Sequence, residues 1–150
     1  MKQVQYDIAT PYTAVYVIFR KANRIAFLLR QNTTYMNEHY SLPAGKVEKR
    51  ESFTDAAVRE IKEEVGVALH PSSLKQIFTG QRIHPDSAWV DIVFEATKWQ
   101  GEPYNAEPHV HGELAWLDPA HLPANIVPYV RFYIDQIQAG KTYAEFGWGS

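Results

Sequence analysis

Apolar residues fall along the chain mostly in short β-branched and aromatic stretches, and only two segments repeat at helical spacing. Residues 12–20 and 24–30 are rich in β-branched and aromatic side chains, and the Lys21-Ala22-Asn23 break between them predicts a hairpin. Residues 31–40 form a polar run, with Asn32, Thr33, Thr34 and Asn37, that reads as a loop closed by Ser41-Leu42-Pro43-Ala44-Gly45. A second strand pair is predicted over 74–83 and 88–99. In the latter, Val90, Ile92, Phe94 and Ala96 alternate with Trp89, Asp91, Glu95 and Thr97, and His84-Pro85-Asp86-Ser87 supplies the turn. Residues 113–117 read as a short strand, after which Asp118-Pro119 is placed to cap a single helical turn through His121.

The first helical segment, 52–65, has Ser52 as N-cap, Asp55 three residues on in a capping-box-like position, and Gly66 just past its end. Its apolar stripe is Phe53, Ala57, Ile61 and Val65. The second, 125–138, carries Ile126, Val130, Ile134 and Ile137 at helical spacing. Pro128 falls in its first turn, where proline is tolerated, and Gly140 follows as a stop.

Composition narrows the class. The chain has 150 residues, 45% hydrophobic and 21% charged, which suits one compact domain with a proper core. Fifteen Lys and Arg against 17 Asp and Glu leave a formal charge of -2, so no basic field exists to hold a nucleic-acid polymer or an anionic membrane. Cysteine is absent, which removes disulfides, thiolate nucleophiles and Cys-ligated zinc. The longest apolar run, 14–19, is too short to span a bilayer, and the polar Lys2, Gln3, Gln5 and Asp7 precede it instead of a signal-peptide core. A cytoplasmic location follows as the simplest expectation.

The helix at 52–65 carries a local conflict. Glu60, Glu63 and Glu64 stand at i, i+3 and i+4 and converge on one face. Like charges one turn apart cost about 0.2–0.5 kcal/mol on an isolated helix, and the helix dipole disfavours anions in the last turn. One reading is a solvated acidic face relieved by Arg59, paired with Glu63 at i+4 and Asp55 at i-4. The other is a hard divalent cation, since Mg²⁺ prefers carboxylate and water oxygens and is commonly completed by substrate phosphates.

The wider spacing bears on that choice: Gly45, five residues, Glu51, seven residues, then Arg59-Glu60-Ile61-Lys62-Glu63-Glu64-Val65-Gly66-Val67. This resembles the Nudix box, with every specified position filled, and coincidence at that spacing is on the order of one in 10⁸ per register. The resemblance implies an α/β fold, an α/β/α sandwich with a mixed β-sheet between helices. It also implies hydrolysis of a phosphoanhydride in a nucleoside diphosphate linked to another moiety. By the same resemblance Glu60 and Glu64 are the principal ligands of Mg²⁺, with Mn²⁺ as a substitute, and Glu63 stands close behind. Arg59 orients the glutamates, and the backbone carbonyl of Ala44 reaches the metal, although many relatives have a second glycine there. Gly45 lets the loop approach the helix, while Glu51 and Gly66 support the helix start and end.

Outside the box, Trp99-Gln100-Gly101-Glu102-Pro103 followed by Glu107 resembles the MutT-like branch, which places a late acidic residue near the metal. Leu122-Pro123-Ala124-Asn125 is similar to the same branch. Asn125 is therefore a candidate reader of a purine edge or, alternatively, a plain N-cap. Arg30 fits a phosphate-contacting position. Ser87 stands where relatives carry a basic residue, which leaves base choice open. Trp89, Tyr35 and Phe78 are candidates for stacking on a base or for the core. The leading functional expectation is a Mg²⁺-dependent pyrophosphohydrolase of nucleoside triphosphates, 8-oxo-dGTP or another noncanonical dNTP among them. Its alternatives are an ADP-ribose or other nucleoside-diphosphate-X pyrophosphatase and a non-catalytic nucleotide-binding module. Arg82 stands where many ADP-ribose hydrolases carry a proline. The implied partner is a small nucleotide, with no polymer and no membrane, acting on a monomer or homodimer. The aromatic tail, 143–148, is expected to dock within the molecule, with a dimer contact as the second choice.

Overall fold

The computed structural model describes residues 4–5 and 7–149, so Lys2 and Gln3, counted above as polar, lie outside the described residues. The elements in chain order are β1 (Tyr12–Ile18), β2 (Arg20–Lys21), β3 (Arg24–Arg30), β4 (Tyr40–Ser41), β5 (Ala44–Lys46), α1 (Phe53–Val65), β6 (Leu74–His84), β7 (Ser87–Ala96), β8 (His111–Leu117), α2 (Pro128–Gln138) and β9 (Tyr143–Phe146). One sheet has the order β5-β1-β7-β6-β9 and is mixed: β1 runs parallel to β7 and β6 to β9, while β5 and β6 run antiparallel to their partners β1 and β7.

Side-chain alternation along β1 produces the layering. Val15 and Val17 pack with Ala57, Ile61 and Val65 of α1, whereas Ala14, Tyr16 and Ile18 pack with Val130, Tyr133 and Ile134 of α2. The two helices therefore cover opposite faces of the mixed sheet, which is the expected α/β/α arrangement. A strand buried on both faces also explains why β1 reads as a continuous apolar run.

A second, antiparallel sheet is formed by β2, β3 and β4, with β8 on the other edge of β3. The hairpin predicted over 12–30 is real only at its tip, where Arg20 and Lys21 pair with Ile25 and Arg24. Ala22 and Asn23 both take positive φ, +50° and +63°, the backbone of a tight hairpin turn. The chain changes sheets at the buried Phe19, so β1 pairs with β5 and β7 instead of with β3. Alternation encodes which faces are buried and is silent about which strand lies alongside.

Helix α1 starts and stops where its sequence directs. Ser52 Oγ accepts the Asp55 amide at 3.0 Å, and Gly66 ends the helix at φ +70°. Phe53 departs from the expected stripe: it is 45% exposed, and Ala56 takes its place in the core. The last-turn carbonyls of Glu64 and Val65 accept the amides of Ala106 (3.0 Å) and Tyr104 (3.1 Å), which docks the 104–107 segment on the end of the helix.

Three further expectations are corrected. Residues 118–121 form a capped turn, with Asp118 accepting the Ala120 and His121 amides, and no helix. Helix α2 begins at Pro128 and not at 125, because Asn125 O and the Val127 amide are engaged by the Tyr40 backbone in a short β-bridge. Asn125 is thus no N-cap. The tail does dock within the molecule, as the edge strand β9 beside β6, with the Phe146 and Phe132 rings 5.4 Å apart. Among the described residues no helix is long and apolar enough to cross a membrane.

Gly66 carries two demands: a left-handed backbone, and a Cα on which an added Cβ would lie 2.2 Å from the Tyr104 ring. Replacement Gly66→Ala is expected to cost about 1–3 kcal/mol from backbone strain alone. Urea denaturation measures the loss, and faster amide exchange at Tyr104 and Ala106 would show the segment loosening from the helix end.

Candidate active site

A cavity of about 470 Å³ opens on the α2 face of the mixed sheet. Glu64 and the Ala44-Gly45 backbone line it on the β5 side, and Arg82 and His84 line it on the β6 side. Strands β1 and β7 lie between β5 and β6, so the two walls are three strand spacings, roughly 14 Å, apart. Arg30 and Lys46 also line the cavity, and Tyr35 comes over it from the 31–39 loop.

On the acidic side one cation organises the loop and the helix. Arg59 donates to both oxygens of Glu51, Nε at 2.7 Å and Nη2 at 2.9 Å, to Glu60 Oε1 from Nη1 at 2.7 Å, and to the Lys46 carbonyl at 3.1 Å. Glu63 is 3.6 Å away in the expected i+4 pair. The expected pairing with Asp55 is absent among the described residues, because the guanidinium turns instead toward the loop that carries Glu51. Hydrogen bonds from Arg59 and from the Glu48 amide hold the Glu51 carboxyl down at about 2. The Glu60 carboxyl lies so close to Gly45 that a Cβ there would fall 1.9 Å from its Cδ, which restricts position 45 to glycine.

Glu60 and Glu64 titrate above the usual carboxylate range. Burial raises Glu60, opposed by Arg59, with Glu63 and Glu107 adding repulsion. Burial raises Glu64 further, opposed by the Ala44 amide that donates to its Oε2 at 3.0 Å, while Glu60 and Glu107 repel it. Glu107 is brought near by its loop: the Ala106 amide bonds Glu64 O, the Glu107 amide bonds Asn105 Oδ1, and Asn105 Nδ2 bonds the His111 carbonyl. Glu60 and Glu64 are therefore partly desolvated oxygen donors that repel one another and are repelled by Glu107, a set whose chemistry fits a hard divalent cation. Among the described residues, no three His, Cys, Asp or Glu side chains are gathered at one point. Glu60 rests on Arg59 and Glu64 on the Ala44 amide.

Of the other predicted residues, Arg30 lines the cavity and donates to Tyr35 O at 2.8 Å, with its guanidinium 5.7 Å from the Tyr35 ring. Asn125 is not among the lining residues, and its Nδ2 is spent on the Glu38 carbonyl at 2.9 Å. Phe78 is fully buried and belongs to the core, whereas Trp89 and Tyr35 face the cavity.

Sequence reasoning missed the β6 side. Arg82 (5% exposed) and Asp91 (0%) form a buried ion pair, Nε to Oδ2 at 2.6 Å, and Tyr133 Oη donates to the same oxygen at 2.7 Å. The Arg82 guanidinium lies 4.4 Å from the Trp89 ring and 4.0 Å from the Tyr129 ring. Gly80 makes room, since a Cβ there would lie 2.2 Å from the Tyr133 ring. The one available signal was a charged residue, Asp91, at a strand position flanked by Trp89 and Val93. Lys46, whose Nζ is 5.7 Å from the Trp89 ring, and His111 were also missed. Burial, helped by Arg30, lowers His111 to about 4, so its imidazole is neutral at pH 7.

The raised Glu64 has a consequence for stability without metal. A carboxyl whose pKa is higher in the folded than in the unfolded chain contributes fully below the unfolded value and loses that contribution as pH rises through the folded one. Glu64→Gln is therefore expected to raise the melting temperature in EDTA at pH 8 by several degrees. The gain should shrink to nothing as pH falls below the ordinary carboxylate range. Thermal melts of both proteins across pH 4–8 measure it, and a gain independent of pH would contradict the assignment.

Residues 10–136 match the family model described as the NUDIX domain. The chain is 32% identical to the 8-oxo-dGTP diphosphatase of Escherichia coli (strain K12) over 97 residues, which is 63% of this chain and 71% of that protein. It is 36% identical to the ADP-ribose pyrophosphatase of Methanocaldococcus jannaschii over 84 residues, 56% of this chain and 49% of that protein, and so spans about half the length of that relative. Among solved structures, the MutT NUDIX hydrolase from Burkholderia pseudomallei superposes with a TM-score of 0.76 at 27% identity, covering 86% of this chain and 99% of that one. The matched span takes in both strand groups, the glutamate helix and nearly all of α2, and the chain belongs to the NUDIX family.

Proposed function

We propose that this protein is a divalent-metal-dependent pyrophosphohydrolase that cleaves a phosphoanhydride of a nucleoside triphosphate, releasing a nucleoside monophosphate and pyrophosphate. The observation that carries the reading is one cavity with the half-buried Glu64 on one side, the aromatic residues Trp89 and Tyr129 also in its lining, and the cations Arg30 and Lys46 there as well. Those three kinds of surface suit a hydrolytic centre, a base and a polyphosphate. Likeness to the 8-oxo-dGTP diphosphatase supports the substrate class.

Glu60, Glu63 and Glu64, with the Ala44 carbonyl, would hold the cation, taken here as Mg²⁺ with Mn²⁺ as its substitute. When bound, that cation supplies charge neutralisation on the phosphate oxygens and lowers the pKa of water. Arg59 keeps Glu60 oriented while it binds Glu51, so the loop and helix hold one geometry before substrate arrives. Glu107, close enough to raise both Glu60 and Glu64, is the group we assign to accept the attacking water's proton. Arg30 and Lys46 bind the phosphates as charge-assisted donors. A second reading, an ADP-ribose or other nucleoside-diphosphate-X pyrophosphatase, is favoured by likeness to the Methanocaldococcus jannaschii enzyme.

Product analysis with Mg²⁺ over dNTPs, 8-oxo-dGTP, ADP-ribose and dinucleoside polyphosphates separates these readings. Monophosphate plus pyrophosphate from a triphosphate is the expected result, and Glu60→Gln is expected to lower kcat by about 100-fold or more with the fold intact by circular dichroism. Nucleotide binding without turnover on any substrate would overturn the enzyme reading.

A further inference from the structure

We propose that the tip of the β6–β7 hairpin carries a two-donor edge, His84 and Ser87, that selects a 6-oxo purine over a 6-amino purine. The inference rests on the nucleotide reading above and names the base that the cavity takes. Register supplies the first step. His84 pairs directly with Ser87, and Arg82 with Trp89, across antiparallel strands, so these side chains share one face of the sheet, and all of them line the cavity.

Hydrogen-bond chemistry supplies the second. Arg82 Nη1 lies 3.1 Å from His84 Nε2. A guanidinium has donors and no acceptor, so Nε2 must offer its lone pair and the ring proton sits on Nδ1. Arg82 cannot swing away to relax this requirement, because Asp91 holds it from below and the Trp89 and Tyr129 rings flank it. On the partner strand the Trp89 indole N–H donates to Ser87 Oγ at 3.0 Å. Indole is donor-only as well, so the Ser87 hydroxyl proton is directed elsewhere. Both His84 and Ser87 have thus accepted a bond from a neighbour and keep a proton to give, and neither proton meets an acceptor among the described residues.

Two neighbouring donors match two neighbouring acceptors. A guanine-type base presents O6 beside N7, both acceptors, whereas adenine presents N7 beside an amino group. With adenine, one N–H would face another. Oxidation of guanine at C8 leaves O6 in place but puts a proton on N7, so the oxidised base keeps only the O6 half of this contact and the edge favours the unoxidised base.

The test reads binding without turnover, using GMP and AMP, which contain no phosphoanhydride. Calorimetry is expected to give GMP a dissociation constant at least tenfold below that of AMP. His84→Phe and Ser87→Ala should each bring the ratio down about threefold or more, with melting temperatures showing that both variants fold. In the wild-type protein, nitrogen-15 spectra should show His84 protonated on Nδ1. Equal affinity for the two nucleotides, a preference untouched by both substitutions, an Nε2-protonated His84, or no binding of either monophosphate would each overturn the proposal. A GMP preference without turnover of any triphosphate would remove the hydrolase reading and leave this one standing; turnover without base preference would do the reverse.

Discussion

Without Arg59, the acidic loop before α1 and the acidic end of α1 would repel one another. Its guanidinium lies within 4 Å of carboxyl oxygens of Glu48, Glu51, Glu60 and Glu63, and it also binds the Lys46 carbonyl, so one side chain joins loop and helix in a single charge network. That network lets Gly45 pass against Glu60 and brings the Ala44 amide to Glu64. The planar, five-donor guanidinium is suited to this in a way an ammonium is not, because it binds Glu51 with two parallel bonds while another nitrogen reaches Glu60. Neutralisation is incomplete, since Glu60 and Glu64 remain raised by burial and by Glu107. The residual strain is electrostatic and lies on the wall of the cavity.

The Arg82 cluster on the other wall is built on the opposite plan. Asp91 accepts from Arg82 and Tyr133, and Arg82 is further engaged by His84, Tyr16 and two aromatic rings, so the buried charges are paired and hydrogen-bonded. Such a pair contributes little net stability over apolar residues of the same size, yet removing one member leaves an uncompensated buried charge. Its effect here is positional: it fixes the orientation of the rings and of His84 around the cavity. One wall holds charge in excess and the other holds charge in balance, and only the first calls for an added cation.

What the sequence disclosed tracks how local the determining forces are. Ser52 and Gly66 act through adjacent backbone groups, and both ends of α1 are found where those residues place them. The glutamates at 60, 63 and 64 were legible because helical periodicity alone brings them together. Asn125 was misjudged because the Tyr40 backbone, far away in sequence, takes its carbonyl and so delays the helix. The role of Asp91 is not legible from its place in the β7 alternation, because its partner, Arg82, sits on another strand, and Gly80 and Tyr133 complete the enclosure from further away still. Phe53 was lost from the core because Ala56, turned toward the sheet, fills that place. In each of these cases the determining contact crosses between elements, which periodicity does not encode.

The distribution of charge then constrains how a small anion can lie in the cavity. A formal charge of -2 is too weak to decide orientation by itself, so the local arrangement must. Glu64 repels phosphate on the β5 side unless a cation intervenes. Arg82 is cancelled by Asp91 on the β6 side, which leaves Arg30 and Lys46 as lining cations with no carboxylate partner among the described residues. Lys46 belongs to β5 itself and follows Ala44 and Gly45, so the attractive charge begins beside the carboxylates. Its Nζ also lies 5.7 Å from the Trp89 ring, so positive charge without a carboxylate partner reaches from β5 toward β7, whereas Arg82 offers an anion a charge that Asp91 already satisfies.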